Sequence, residues 1–190
     1  MSEAKYKSLL FCISDRLEEI DGLKDGRVRK HVLFMCNGKI AHGNDDTILS
    51  LLRKLEENGF LGVDSLQMLK DIVKAEAQWD FLDEIAKFET VRGEYKKLLE
   101  QFIGALEERN DLERLTSIAW RKSNIPEEKR NSVRDVRSLV QVLEELNCIG
   151  VDSMNLFWEF FIEPYDGELL AKLKEFQNRR TKDEKSERGK

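Results

Sequence analysis

Apolar residues recur at spacings of three and four over most of the chain, a pattern that predicts helices. Leu9, Leu10, Ile13, Leu17 and Ile20 form the first stripe, with Gly22 and Gly26 punctuating it. Val28, Val32, Leu33 and Met35 mark a second helix ending near Asn37 and Gly38. A short polar stretch over 39–44 follows. Ile48, Leu51, Leu52 and Leu55 predict another helix, closed by Asn58 and Gly59. Asp64 is placed to cap a helix carrying Leu66, Leu69, Ile72 and Val73. Trp79, Phe81, Leu82, Ile85 and Phe88 mark the last helix of this group.

The second half reads the same way. Leu98, Leu99, Phe102 and Leu106 come first, then Leu112, Leu115, Ile118 and Ala119, with Asp111 near the N-cap. Pro126 stands where a short helix can begin. Val133, Val136, Leu139, Val140 and Leu143 form the fourth segment. Met154, Phe157, Phe160 and Phe161 follow Asp152 in a helix that Pro164 ends. Leu169, Leu170, Leu173 and Phe176 complete the set. Each half thus carries five clear helices and one weak third segment.

The two halves are copies. Gly62-Val63-Asp64-Ser65 returns unchanged as Gly150-Val151-Asp152-Ser153, an offset of 88. Leu51-Leu52-Arg53-Lys54-Leu55-Glu56-Glu57 returns at the same offset as Leu139-Val140-Gln141-Val142-Leu143-Glu144-Glu145. Upstream, Tyr6-Lys7-Ser8-Leu9-Leu10 matches Tyr95-Lys96-Lys97-Leu98-Leu99 at an offset of 89, so one residue is inserted between the blocks. Domains over 1–90 and 93–178 are expected, followed by a charged tail over 179–190 that is expected to be disordered.

Composition narrows the class. The 190 residues include 11 Gly and 2 Pro, too few turn-formers for a sheet protein built of hairpins. Charged residues make up 36%, against about 25% in ordinary globular chains. The net charge of −5 exerts no global pull toward nucleic acid. No apolar run approaches the ~18–20 residues that span a bilayer. Asp15 and Arg16 interrupt any signal-peptide core after the N-terminal MSEAKYKS. Cys12, Cys36 and Cys148 are odd in number, far apart and without a CxxC, so each is expected as a small buried hydrophobe in a reducing cytoplasm or nucleus. His31 and His42 have no ligand-spaced partners and are expected at the surface.

Several stretches resemble the tandem death effector domains of the death-fold superfamily. Val32-Leu33-Phe34-Met35-Cys36 is similar to that family's second-helix segment. The run from Leu51 through Asn58, Gly59, Phe60 and Leu61 is similar to its fourth helix and following turn, and Asp64 to Val73 to its fifth helix. Tyr95-Lys96-Lys97-Leu98-Leu99 resembles the opening of the second domain in FLICE-like inhibitory proteins and initiator-caspase prodomains. The resemblance covers about 5–178. It implies an all-α fold of two tandem six-helix death-fold bundles packed together, with a brief tail and no protease domain. It also implies a non-catalytic adaptor or regulator without cofactor or metal. Its partners would be death effector domains of a FADD-like adaptor or an initiator caspase prodomain, and its effect on death-receptor apoptosis inhibitory. Self-association is a further possibility that the resemblance raises, with no nucleic acid or membrane among the partners.

The residues that carry those expectations are few. Phe34 and Met35 occupy the family's aromatic plug, and three readings are open: core, inter-domain contact or partner contact. Burial of Phe34 would make Phe34→Ala cost ~3–5 kcal/mol. The family's Arg-x-Asp-Leu at the sixth helix is reduced here to Gln78-Trp79-Asp80-Phe81 and to the segment from Tyr165 or Asp166 to Glu168-Leu169, so the arginine is missing from both copies. Asp80, Asp111 and Glu168 keep the acidic half, without the fork of a guanidinium to hold it. Together with the loss of the aromatic plug in the second copy, this weakens the case for polymerisation of the kind seen in the family's filaments. In the second copy the plug aligns with Ser117-Ile118. Trp158 reads as core, while Trp120 beside Arg121 and Lys122 reads as a candidate partner anchor. Arg27-Val28-Arg29-Lys30-His31 is a basic cluster suited to an acidic surface. The rival readings are a helical interaction scaffold unrelated to cell death, a prodomain of a longer caspase-like chain, and a nucleic-acid binder.

Overall fold

The computed structural model describes residues 3–36, 38–41, 43, 46–160 and 167–187, with 3, 4 and 181–187 described by backbone alone. Asn37, His42, Phe161, Ile162, Pro164, Tyr165 and Asp166 lie outside the described residues. Ten helices are described and no strand: α1 (Glu3–Leu23), α2 (Arg27–Cys36), α3 (Ile48–Glu57), α4 (Gln67–Ala75), α5 (Trp79–Arg109), α6 (Leu112–Lys122), α7 (Glu127–Arg130), α8 (Val136–Glu145), α9 (Asn155–Phe160) and α10 (Gly167–Glu187). The chain divides into two compact units, Met1–Arg92 and Gly93–Lys190. The fold is therefore all-helical, as the apolar spacing predicts.

In the first unit α1 packs on α2 and α3, and α2 packs on α3. One continuous core joins Tyr6, Leu10, Ile13 and Leu17 of α1 to Val28 and Val32 of α2, to Leu51, Leu52 and Leu55 of α3, to Leu69, Ile72 and Val73 of α4, and to Ile85 and Phe88 of α5. Burial of each such side chain stabilises by roughly 1.5–3 kcal/mol, which is why these short helices hold in water. In the second unit α6 packs on α9. Its core includes Tyr95, Phe102 and Leu106 of α5, Leu115 and Ala119 of α6, Leu139, Val140 and Leu143 of α8, Phe157 and Phe160 of α9, and Leu173 and Phe176 of α10.

The repeat is physical as well as textual. Thr47 caps α3 by accepting from the Ser50 amide, and Asp135, 88 later, caps α8 by accepting from the Ser138 amide. Both helices end in the same hydrogen-bonded turn. Phe60 N donates to Leu55 O and Gly59 N to Glu56 O, at 2.9 Å each. Cys148 N donates to Leu143 O at 2.8 Å and Asn147 N to Glu144 O at 2.9 Å. That turn needs a left-handed residue, and Gly59 (φ +74°) and Asn147 (φ +54°) supply it. The Gly62–Ser65 bridge recurs as Gly150–Ser153.

Four expectations are corrected. Asp64 does not cap α4, which starts two residues beyond the bridged turn with Leu66 at the cap position. Its carboxylate instead takes the Arg92 guanidinium at 3.0 and 3.3 Å. Asp152 takes Arg180 at 3.2 Å, the same pair one repeat later. The last helix of the first copy and the first of the second are not separate: α5 runs through both, because only Gly93 stands near the junction and one glycine costs a helix about 1 kcal/mol. Residues 179–187 are not disordered. They continue α10, since no Gly or Pro interrupts 168–187 and Lys, Arg, Glu and Gln are good helix formers. Cys12 is exposed and Cys148 half-buried; Cys36 alone is buried, and burial pushes its thiol pKa up.

Candidate functional site

The second helix of each unit turns a stripe of small apolar residues inward. On α2 these are Val28, Val32 and Cys36; on α6 they are Leu115 and Ala119, 87 residues on. In that register Phe34 lies opposite Arg121, not the Ser117-Ile118 expected from the sequence, and the second unit has no aromatic there. Phe34 points away from the stripe and is 77% exposed, so the core reading is overturned. Met35, about 100° around the helix, is half-buried and packs against the core.

The basic cluster on α2 divides by facing. Arg29 and His31 turn toward acids of neighbouring elements. The Arg29 amide donates to Asp21 Oδ1 at 2.8 Å, and its guanidinium lies 4.0 Å from Oδ2 of that nearly buried carboxylate. His31 Nδ1 lies 2.9 Å from Glu76 Oε1, and Lys24 Nζ donates to Glu76 Oε2 at 3.3 Å. Burial works to raise the Glu76 pKa, but His31 and Lys24 outweigh it and hold the carboxyl below its usual value. His31 is therefore half-buried and held against a carboxylate instead of being a plain surface residue. Arg27 and Lys30 are left exposed. With Phe34 they fall at i, i+3 and i+7, one helical face bearing an aromatic side chain and two cations.

The second unit treats the corresponding place differently. Arg114 of α6 donates to Phe160 O at 2.9 Å and so ties down the end of α9, the helix equivalent to α4. Trp120 is half-buried, with the Arg130 guanidinium 5.7 Å from its ring centroid. Ile118 is half-buried. Asp111 sits at the cap position of α6 without a side-chain cap bond, and Arg114 approaches it at 3.7 Å. Glu168 is exposed in the first turn of α10 and pairs with Lys172 at 2.8 Å. Trp158 is half-buried rather than core, and donates to Gln177 Oε1 at 3.2 Å.

Asp80 is exposed in the first turn of α5. No ion pair among the described residues reaches it; the acids that engage α2 are Asp21 and Glu76, the latter four residues earlier. Sequence reasoning missed Glu76 and Asp21 because their partners lie 45, 52 and 8 residues away and no local motif links them. It also missed Phe11, which is 56% exposed on α1 beside an open groove lined by Lys7, Leu49, Arg53 and Glu56. Tyr6 is buried, and burial together with the neighbouring Glu56 carboxylate pushes its phenol pKa far up.

One asymmetry stands out. Among the described residues, the large hydrophobics that are exposed are Phe11, Leu23, Phe34, Phe60 and Trp79, and all five belong to the first unit. No group of three or more potential metal ligands occurs among the described residues. Comparison with protein-family models, with curated proteins and with solved structures finds no match.

Proposed function

We propose that this chain is a non-catalytic adaptor or regulator of the death effector domain class, built of two death-fold bundles. It docks on the death effector domain of a FADD-like adaptor or an initiator caspase prodomain. By filling a place in the assembly, it dampens caspase activation in death-receptor signalling. The observation that carries this reading is the exposed face of α2, where Phe34 stands with Arg27 and Lys30 on a unit that holds every exposed large hydrophobic described. An aromatic anchor supplies most of the affinity and flanking cations set orientation and rate against an acidic surface.

The test is binding of the full chain to an isolated FADD-type death effector domain. Binding at tens of micromolar or tighter, lost by about thirtyfold on Phe34→Ala (roughly 2 kcal/mol at an anchor position) and weakened by the Arg27→Glu, Lys30→Glu pair, supports the reading. Absence of binding at that concentration overturns it.

A further inference from the structure

Of the hydroxyls on described side chains, that of Ser132 alone is exposed, outside every helix, and preceded by basic residues two and three positions back, Arg130 and Lys129. Ser8 and Ser117 also follow basic residues, but they lie within α1 and α6, which cannot enter a cleft in extended form without unwinding helices that carry core residues. Ser123 follows Arg121 and Lys122 but is half-buried.

The setting of Ser132 is easily opened. The preceding helix α7 has four residues and buries none of them. What holds it is an exposed ion pair between Lys129 and Glu145, the bond from Arg130 Nε to Ile125 O at 2.8 Å, and the Arg130 guanidinium over the half-buried Trp120 ring. Segments with few buried contacts open locally at low cost, and exposed ion pairs contribute little against it. Downstream, α8 is fixed independently by the reciprocal cap between Asp135 and Ser138 and by its buried face, so the opening stops there.

We infer that Ser132 is a phosphorylation site for a protein kinase that reads basic residues two and three positions before the acceptor, a charge pattern of the kind kinases use to select substrates. The Ser132 hydroxyl oxygen attacks the γ-phosphorus of kinase-bound Mg-ATP and an oxygen–phosphorus bond forms. The bond from that phosphorus to the β,γ-bridging oxygen breaks, ADP leaves, and the hydroxyl proton passes to the kinase base. The product can no longer donate to Lys129 O, the bond that Ser132 Oγ makes at 2.7 Å. It adds a charge of about −1.5 to −2 beside Lys129, Arg130 and Arg134, three residues before the Asp135 carboxylate. The phosphate therefore competes with Glu145 and Ile125 for the two cations of α7 and rebuilds that short segment. This inference does not depend on the docking reading.

The experiment incubates the full chain with the catalytic subunit of cyclic-AMP-dependent protein kinase and Mg-ATP, and reads intact mass and peptide mapping. One phosphate on Ser132 is expected, with none on Ser132→Ala. The Lys129→Ala, Arg130→Ala pair, which alters a helix with no buried residue, is expected to slow uptake by about tenfold or more. No uptake, equal uptake by Ser132→Ala, or phosphate on Ser8, Ser117 or Thr181 with Ser132 unmodified overturns the inference.

Discussion

Where the first unit places Ile13, Leu69 and Ile72 in its core, the second places Phe102, Phe157 and Phe160. The Phe102 and Phe157 rings lie 4.9 Å apart, and Phe160 meets Phe157 nearly edge-on at 86°. One helical plan has thus been filled with two different sets of volumes. The lesson is that the plan is set by which positions turn inward, while the side chains that fill it change together. At the surface the difference runs the other way. The unit with fewer aromatics in its core carries the exposed ones, and the unit with more of them in its core buries or half-buries all the aromatics that are described.

The largest test of that contrast is in the cores. Phe157→Ala should cost the full chain about 3–5 kcal/mol in equilibrium denaturation. The reciprocal over-packing change in the first unit, Leu69→Phe, should cost about 1–3 kcal/mol. If Leu69→Phe were neutral, the first core would have room to spare and the idea of two co-adapted fillings would fail. The shared turn comes next. Gly59→Ala puts a Cβ on a residue at φ +74° with open space around it, so only backbone strain of about 1–2 kcal/mol should appear. Asn147→Gly relaxes the same turn in the second unit and should be neutral or mildly stabilising, read as a shift in denaturation midpoint. Equal losses from both changes would show that the two turns are not equivalent.

Acid tests the first unit by a smaller effect. Asp46 accepts from Lys54 Nζ at 2.7 Å and from the Gly43 amide, and the Lys54 contact first of all holds its carboxyl down to about 2. A carboxyl depressed in the folded state contributes stability above its ordinary value, and that contribution is lost as pH falls through the folded one. The first unit should therefore lose stability between about pH 4 and pH 2, and Asp46→Asn should flatten that part of the curve. Unchanged pH dependence in Asp46→Asn would remove the pair from the account. The smallest change in stability is expected of Phe34→Ala, within about 0.5 kcal/mol because the ring is solvated. A loss of several kcal/mol would return Phe34 to the core, and the docking face with it.

Much of the fold was legible in the residue order. The Leu51, Leu52 and Leu55 stripe, the Asn58-Gly59 stop and the repeat at an offset near 88 are local or repetitive signals, and these helices fall where those signals put them. Asp64 was misread because a good capping residue before an apolar run looks the same whether its carboxylate meets an amide or a guanidinium 28 residues away. Residues 179–187 were misread because low apolarity signals both disorder and a solvated helix, and the continuity of α10 from its buried first half decides for the helix.

By itself the residue order determined the helical periodicity, the stops and the duplication, since each depends on neighbours within a turn or on a register carried along the chain. Only tertiary structure decided which residues of the α2 cluster face inward, that Asp21 and Glu76 and not Asp80 engage them, and that Phe34 is left to solvent. Those outcomes depend on residues tens of positions apart meeting in space, and on one residue's 100° rotation about a helix axis, which composition and spacing do not encode.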